Sequence, residues 1–79
     1  DFTLKPEWEL MLYQVIMRKS ISMDELLALF QDDVFDFQIE VENLLRSKVL
    51  IKSLSNELQV NPYVMIFIVT YLRKHQIII

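Results

Sequence analysis

The first twenty residues place apolar side chains three and four positions apart, which is the spacing of an amphipathic helix. Pro6 suits the first turn of this helix because its missing N–H would have no intrahelical partner there. Glu7 and Glu9 follow near the positive end of the helix dipole. The helix is predicted to end near Lys19. Its expected inward stripe consists of Trp8, Met11 or Leu12, Val15 and Ile16.

The clearest helix start in the chain lies at Ser22. Glu25 follows three residues later, so the two side chains match a capping box. Ile21, just before the cap, can pack on Leu26 as a hydrophobic staple. A short second helix is therefore predicted from Met23 to about Gln31.

A polar turn separates this helix from a third one. Either Asp33 or Asp36 can serve as its N-cap, and the helix is predicted to run to about Ser47. Glu40 and Glu42 lie beside its apolar stripe and are expected to face water. That stripe consists of Phe37, Val41, Leu44 and Leu45.

After Lys48 the hydrophobic spacing changes to an alternation of every second residue, which indicates strands. Residues 50–54 and 58–60 are predicted to form the two strands of a hairpin. Ser55 and Asn56 are a plausible two-residue turn between them, because asparagine tolerates a positive φ.

A last helix is predicted from Pro62 to about His75, with Asn61 as its cap. Residues 63–69 are rich in β-branched and aromatic side chains, so a strand is the competing interpretation. The length of the segment and the proline at its start favour the helix.

The stretch from Leu45 to Ile51, within this order of elements, resembles the junction between third helix and wing in the winged helix-turn-helix superfamily. In many members a leucine and three polar residues precede a glycine and two aliphatic residues. Val49 takes the glycine position here, so the helix is expected to end there without its usual left-handed cap, or to run differently into the strand. The resemblance extends from Pro6 to His75.

This resemblance implies an α+β, mostly helical fold, in which three helices precede a two-stranded hairpin wing and a C-terminal helix. Residues 1–79 would then form a single winged-helix domain. We expect this domain to be part of a longer protein, because the chain begins at Asp1 and ends in three isoleucines.

By default the resemblance also implies binding to duplex DNA, with the third helix in the major groove. Asp36, Glu40 and Glu42 on that helix would repel phosphates, and residues 20–45 contain no lysine or arginine. A DNA-binding transcriptional regulator is therefore the alternative interpretation. Its contacts would come from Gln38, Asn43, Arg46, Lys48 and Lys52.

The composition excludes several other classes of site. The 79-residue chain is 53% hydrophobic, carries a net charge of −3, and contains no glycine and no cysteine. A disulfide scaffold, a thiolate zinc site, a cysteine nucleophile and a glycine-based phosphate loop are thereby ruled out. The longest apolar run, Val64 to Val69, is too short to cross a bilayer. No secretory signal precedes the first helix, which favours an intracellular location.

Few side chains suggest chemistry. His75 lies in the predicted last turn of the final helix, where a cation complements exposed carbonyls, and no partner is spaced to make it catalytic. Asp32, Asp33 and Asp36 lack the pattern of a calcium loop and are interpreted as capping groups. Phe35 could either cover the core or form an exposed anchor. We therefore expect no enzyme activity, and no metal, cofactor or small-molecule ligand.

The final helix is apolar on all sides from Tyr63 to Leu72, whereas a surface helix of a small domain usually keeps one polar face. Either Tyr63, Thr70 and Tyr71 are half exposed, or a second apolar strip contacts another subunit or domain. We predict a non-catalytic protein–protein interaction or dimerisation module, whose partner is another protein or a second copy. The predicted contact residues are Leu10, Tyr13, Met17, Met65, Ile68, Val69 and Leu72.

Overall fold

A computed structural model describes residues 3–30 and 36–78. The described residues form four helices and one two-stranded antiparallel hairpin, which confirms the α+β, mostly helical class. In chain order the elements are α1 (Pro6–Arg18), α2 (Met23–Ala28), α3 (Phe37–Arg46), β1 (Leu50–Lys52), β2 (Leu58–Val60) and α4 (Pro62–Lys74). The helical interpretation of the last segment is thereby confirmed over the strand.

Local capping signals set the starts of these helices. The Ser22 hydroxyl accepts the Glu25 backbone N–H at 3.1 Å, which confirms Ser22 as the N-cap of α2. The Glu25 carboxylate accepts from the Ser22 hydroxyl at 3.0 Å. Asp36 is the cap of α3, with its carboxylate 3.4 Å from the Ile39 N–H. Asn61 caps α4 by accepting the Tyr63 N–H at 3.0 Å.

Helix α2 is shorter than predicted. It ends at Ala28, where the Leu29 N–H is shared among preceding carbonyls and the chain tightens into a turn. The stacked rings of Phe30 and Phe37, with centroids 4.4 Å apart, connect the end of α2 to the start of α3. The predicted roles of Asp32, Asp33 and Phe35 concern positions outside the described residues.

The core is centred on α1, which packs against α2, α3, α4 and β2. Met11, Leu12 and Val15 are fully buried. The predicted inward stripe contained either Met11 or Leu12, and both lie in the core. The remaining buried side chains are Leu4, Ile21, Leu26, Phe37, Val41, Leu44, Leu50, Leu58, Val60, Ile68, Tyr71 and Leu72.

The hairpin pairs Leu50 with Val60 and Lys52 with Leu58. A further segment joins it, because Ile21 and Leu58 exchange two backbone hydrogen bonds of 3.1 and 2.7 Å. The short connection between α1 and α2 is therefore tied to the hairpin, a pairing that the sequence pattern did not predict.

The predicted two-residue hairpin turn is wrong by one residue. The Ser53 N–H bonds to the Glu57 carbonyl and the Asn56 N–H bonds back to the Ser53 carbonyl, which leaves a loop of residues 54–56. Asn56 has φ 65, as expected for the left-handed residue that closes such a loop.

The end of α3 differs from the expectation at Val49. A left-handed cap is present, but it is Lys48 that adopts φ 68. The Val49 N–H bonds to the Leu44 carbonyl at 3.0 Å and the Lys48 N–H to the Leu45 carbonyl at 3.2 Å, which is the Schellman pattern. A lysine therefore occupies the position that glycine usually takes, at a cost on the order of 1–2 kcal/mol.

Candidate interaction surface

Helix α4 has one buried side and one exposed apolar side. Ile68 and Leu72 are sealed in the core, with 1% and 0% of their surface exposed. Tyr63, Ile66 and Phe67 retain 89%, 66% and 65% exposure. Exposed aromatic and aliphatic side chains next to one another are uncommon on a soluble protein and mark interfaces. We call the surface formed by Tyr63, Ile66, Phe67 and Thr70 the outer α4 face.

The structure buries part of the contact strip predicted for α4. Ile68 and Leu72 lie in the core, so their predicted role as contact residues is wrong, and Met65 and Val69 beside them are half-buried. The error arises because α4 carries two apolar strips, and helical spacing alone does not tell which of them meets α1.

The predicted contact residues of α1 occupy different environments. Leu10 and Met17 are exposed and Tyr13 is half-buried. Leu10 and Met17 are therefore available for contact, but none of the three residues lines the groove along α4.

An open groove of about 860 Å³ runs along α4. It is bordered by the apolar side chains of Val49, Val64 and Phe67, and by Lys74 and His75 at its C-terminal end. Its other lining residues are Thr3, Ile66, Ile68, Thr70 and Tyr71. The chain contains no acidic residue from position 58 onwards, so the part of the groove formed by α4 combines apolar surface with positive charge.

Tyr71 lines the groove and is held in place by contacts with Glu9 and His75. Its hydroxyl donates to the Glu9 carboxylate of α1 at 2.8 Å, and its ring stacks on His75 with centroids 4.2 Å apart. The hydrogen bond to Glu9 raises the pKa of Tyr71, because only the protonated hydroxyl can donate. The expectation of a half-exposed Tyr71 is therefore wrong, since this side chain is buried and tethered to α1.

A second polar contact joins α1 to α3. The Trp8 indole N–H donates to Glu40 Oε1 at 2.7 Å, and Lys5 Nζ lies 3.7 Å from the same oxygen. Lys5 also lies over the Trp8 ring, 5.4 Å from its centroid. Glu40 was expected to face water; instead its side chain is only 19% exposed, because it satisfies the indole N–H.

The residues predicted for nucleic-acid contact do not form a uniformly basic surface. Gln38, Arg46, Lys48 and Lys52 are exposed and Asn43 is half-buried. The exposed acids Asp36 and Glu42 lie on the same helix as Gln38 and Arg46. A duplex approaching α3 would therefore meet negative charge at the start and middle of the helix.

Within residues 3–30 and 36–78, no group of three or more histidine and acidic side chains is arranged to hold a metal ion. His75 is the C-cap residue of α4, consistent with the predicted position in its last turn. None of the described helices is both long and apolar enough to span a bilayer.

Comparison of the chain with protein-family models, with curated proteins and with solved structures found no match.

Proposed function

We propose that this chain is a non-catalytic protein–protein interaction module of winged-helix type within a longer protein. The observation that carries the proposal is the outer α4 face, where Tyr63, Ile66 and Phe67 remain exposed on a well-formed helix. A helix face of this kind is suited to contact another helix or a groove on a partner.

Three features support the winged-helix interpretation. The first is the order of the helices and the hairpin. The second is the pairing of Ile21 with Leu58, which adds a short strand-like segment to the hairpin. The third is the left-handed Lys48, which takes the glycine position of the family pattern when that pattern is moved back by one residue to begin at Leu44. In this register Leu45 departs from the pattern, because it stands in the first of the three polar positions.

Binding would be driven by burial of the aromatic and aliphatic anchors. Full burial of a phenylalanine or isoleucine side chain contributes about 1.5–3 kcal/mol, so Ile66 and Phe67 could carry much of a modest affinity. Aromatic anchors of this type commonly lie at the centre of protein interfaces. The positive charge of Lys74 at the end of the groove would then favour partners with acidic residues.

Site-specific photocrosslinking tests this proposal. A photoreactive phenylalanine at position 67 is compared with the same probe at position 54, because Leu54 is exposed as well but lies in the hairpin loop. We expect protein adducts from position 67 in the source cells and few from position 54. Equal yields at both positions, or no protein adduct at position 67, would contradict the proposal.

The alternative function, recognition of duplex DNA, is tested separately. Fluorescence anisotropy with a mixed-sequence duplex at low salt should show little binding, because Asp36 and Glu42 oppose the phosphates. Tight binding that falls steeply with salt, and that is lost on Arg46→Ala and Lys52→Ala substitution, would favour the DNA-binding alternative instead.

A further inference from the structure

A second exposed surface of the chain is complementary to the outer α4 face. On α3, Ile39 is 52% exposed, with the exposed acids Asp36 and Glu42 on either side of it in sequence. Ile39 and Glu42 are three residues apart and therefore lie on the same side of the helix. We call Asp36, Ile39 and Glu42 the α3 face.

The two surfaces carry opposite net charge beside an apolar centre. The α3 face places the carboxylates of Asp36 and Glu42 beside Ile39, with the cation Arg46 one turn beyond Glu42 at the C-terminal end of the helix. The groove beside Phe67 ends in Lys74 and His75 and has no acid on α4. Contact between the faces would bury apolar surface and pair the charges at its margin.

The length of the groove beside the outer α4 face also agrees with that of α3. The groove extends from Val64 to His75, roughly 16 Å at the helical rise of about 1.5 Å per residue. Helix α3 has 10 residues and is about 15 Å long by the same measure. A helix of this length can lie along the groove, which is a common mode of helix recognition.

We propose that the partner of the outer α4 face is the α3 face of a second copy of this chain, bound head to tail. This inference rests on the proposed function and names its partner. A symmetric contact of α4 with α4 would place Arg73 and Lys74 against a helix that has no carboxylate to pair with them. The head-to-tail contact supplies those carboxylates from Asp36 and Glu42.

Head-to-tail contact has a consequence for assembly. Each copy binds one neighbour through its outer α4 face and another through its α3 face. Assembly therefore does not stop at two copies unless a ring closes. The average mass should therefore rise continuously with concentration, and association should weaken as salt screens the charge pairs.

Sedimentation velocity on the 79-residue chain tests the proposal with two single variants. Phe67→Glu removes the apolar centre of the outer α4 face and adds a carboxylate that repels Asp36 and Glu42 of the α3 face. Ile39→Gln removes the apolar centre of the α3 face. Because both side chains are exposed, the thermal midpoints should stay close to wild type. Leu54→Gln in the hairpin loop is the matched control. Concentrations on the order of 0.01–1 mM cover the affinities of weak contacts.

We expect each variant to weaken self-association at least about 10-fold, while the control behaves as wild type. An equimolar mixture of the two variants should form a 1:1 dimer, because each variant retains the face that the other has lost. The mixture should stop at that dimer, whereas wild type continues to larger species.

Three results would overturn the proposal: a wild-type chain that stays monomeric, self-association of Ile39→Gln that equals wild type, or a mixture that stays monomeric. A monomeric chain that still forms adducts with a different protein from position 67 would overturn only the identity of the partner. Absence of any protein adduct at that position would overturn the proposed function itself.

Discussion

Ile68 and Leu72 on the inner side of α4 are buried in the core, whereas Ile66 and Phe67 on the outer side remain open to solvent. The two sides are similarly apolar, so composition does not distinguish the residues that hold the fold together from those available to a partner. The difference lies in which side α1 covers. Substitutions on the inner side should therefore change stability, and substitutions on the outer side should change association.

The largest expected effect comes from truncating one side chain on each side of α4. Leu72→Ala should lower the free energy of unfolding by about 2–5 kcal/mol, because it removes fully buried methyl groups and leaves a cavity. Ile66→Ala should change it by no more than about 0.5 kcal/mol. Urea unfolding followed by circular dichroism measures both free energies. Similar losses in the two variants would contradict the claim that only the inner side of α4 stabilises the fold.

The next effect concerns Asn61, which positions the start of α4. Its side chain accepts the Tyr63 N–H and donates to the Lys48 carbonyl at 2.7 Å, so it joins the end of α3 to α4. Asn61→Ala should destabilise the fold by about 0.5–2 kcal/mol. Asn61→Asp keeps the cap acceptor but loses the amide donor, and is expected to lose less. Equal losses in chemical denaturation would show that the cap contributes nothing.

A smaller effect of opposite sign is expected at Lys48. Lys48→Gly should stabilise the fold by about 1 kcal/mol, because glycine adopts the left-handed conformation without a Cβ clash. Lys48→Ala retains the Cβ and is the control, with no gain expected. The gain should leave association through the outer α4 face unchanged, since Lys48 belongs to neither the outer α4 face nor the α3 face. A destabilised glycine variant would contradict the left-handed assignment.

The smallest effect concerns the polar contact on the inner side of α4. The pKa of Tyr71 is raised above 10.0 by its hydrogen bond to Glu9. A raised folded-state pKa means that this contact contributes fully below about pH 10 and is lost as pH rises through the folded value. The unfolding free energy of wild type should therefore fall more steeply above about pH 10 than that of Tyr71→Phe. Parallel pH profiles for the two proteins would contradict the role of this hydrogen bond.

Elements with strong local signals could be predicted from the sequence. The Ser22 cap of α2, the Asn61-Pro62 start of α4 and the alternation at the hairpin depend on neighbouring residues, and the structure contains all three. The loop length at Asn56 was wrong because asparagine tolerates a left-handed φ in more than one kind of turn.

Contacts between distant residues could not be predicted in the same way. The Trp8–Glu40 and Tyr71–Glu9 hydrogen bonds and the pairing of Ile21 with Leu58 join positions at least thirty-two residues apart. Which apolar strip of α4 meets α1 depends on how the whole chain packs. The exposed apolar side chains of α4 therefore lie on a different side of the helix from the predicted contact residues Ile68 and Leu72.

The central claim is that the outer α4 face is free in the isolated chain and covered by protein where the chain functions. The chain has no cysteine, so Thr70→Cys and Leu54→Cys each introduce a single thiol while Ile66 and Phe67 stay in place. Both positions are exposed, so alkylation rates at the two should be similar in dilute purified chain. In the source cells, the rate at position 70 should fall at least about 10-fold relative to position 54. Equal rates at both positions in both settings would contradict the claim.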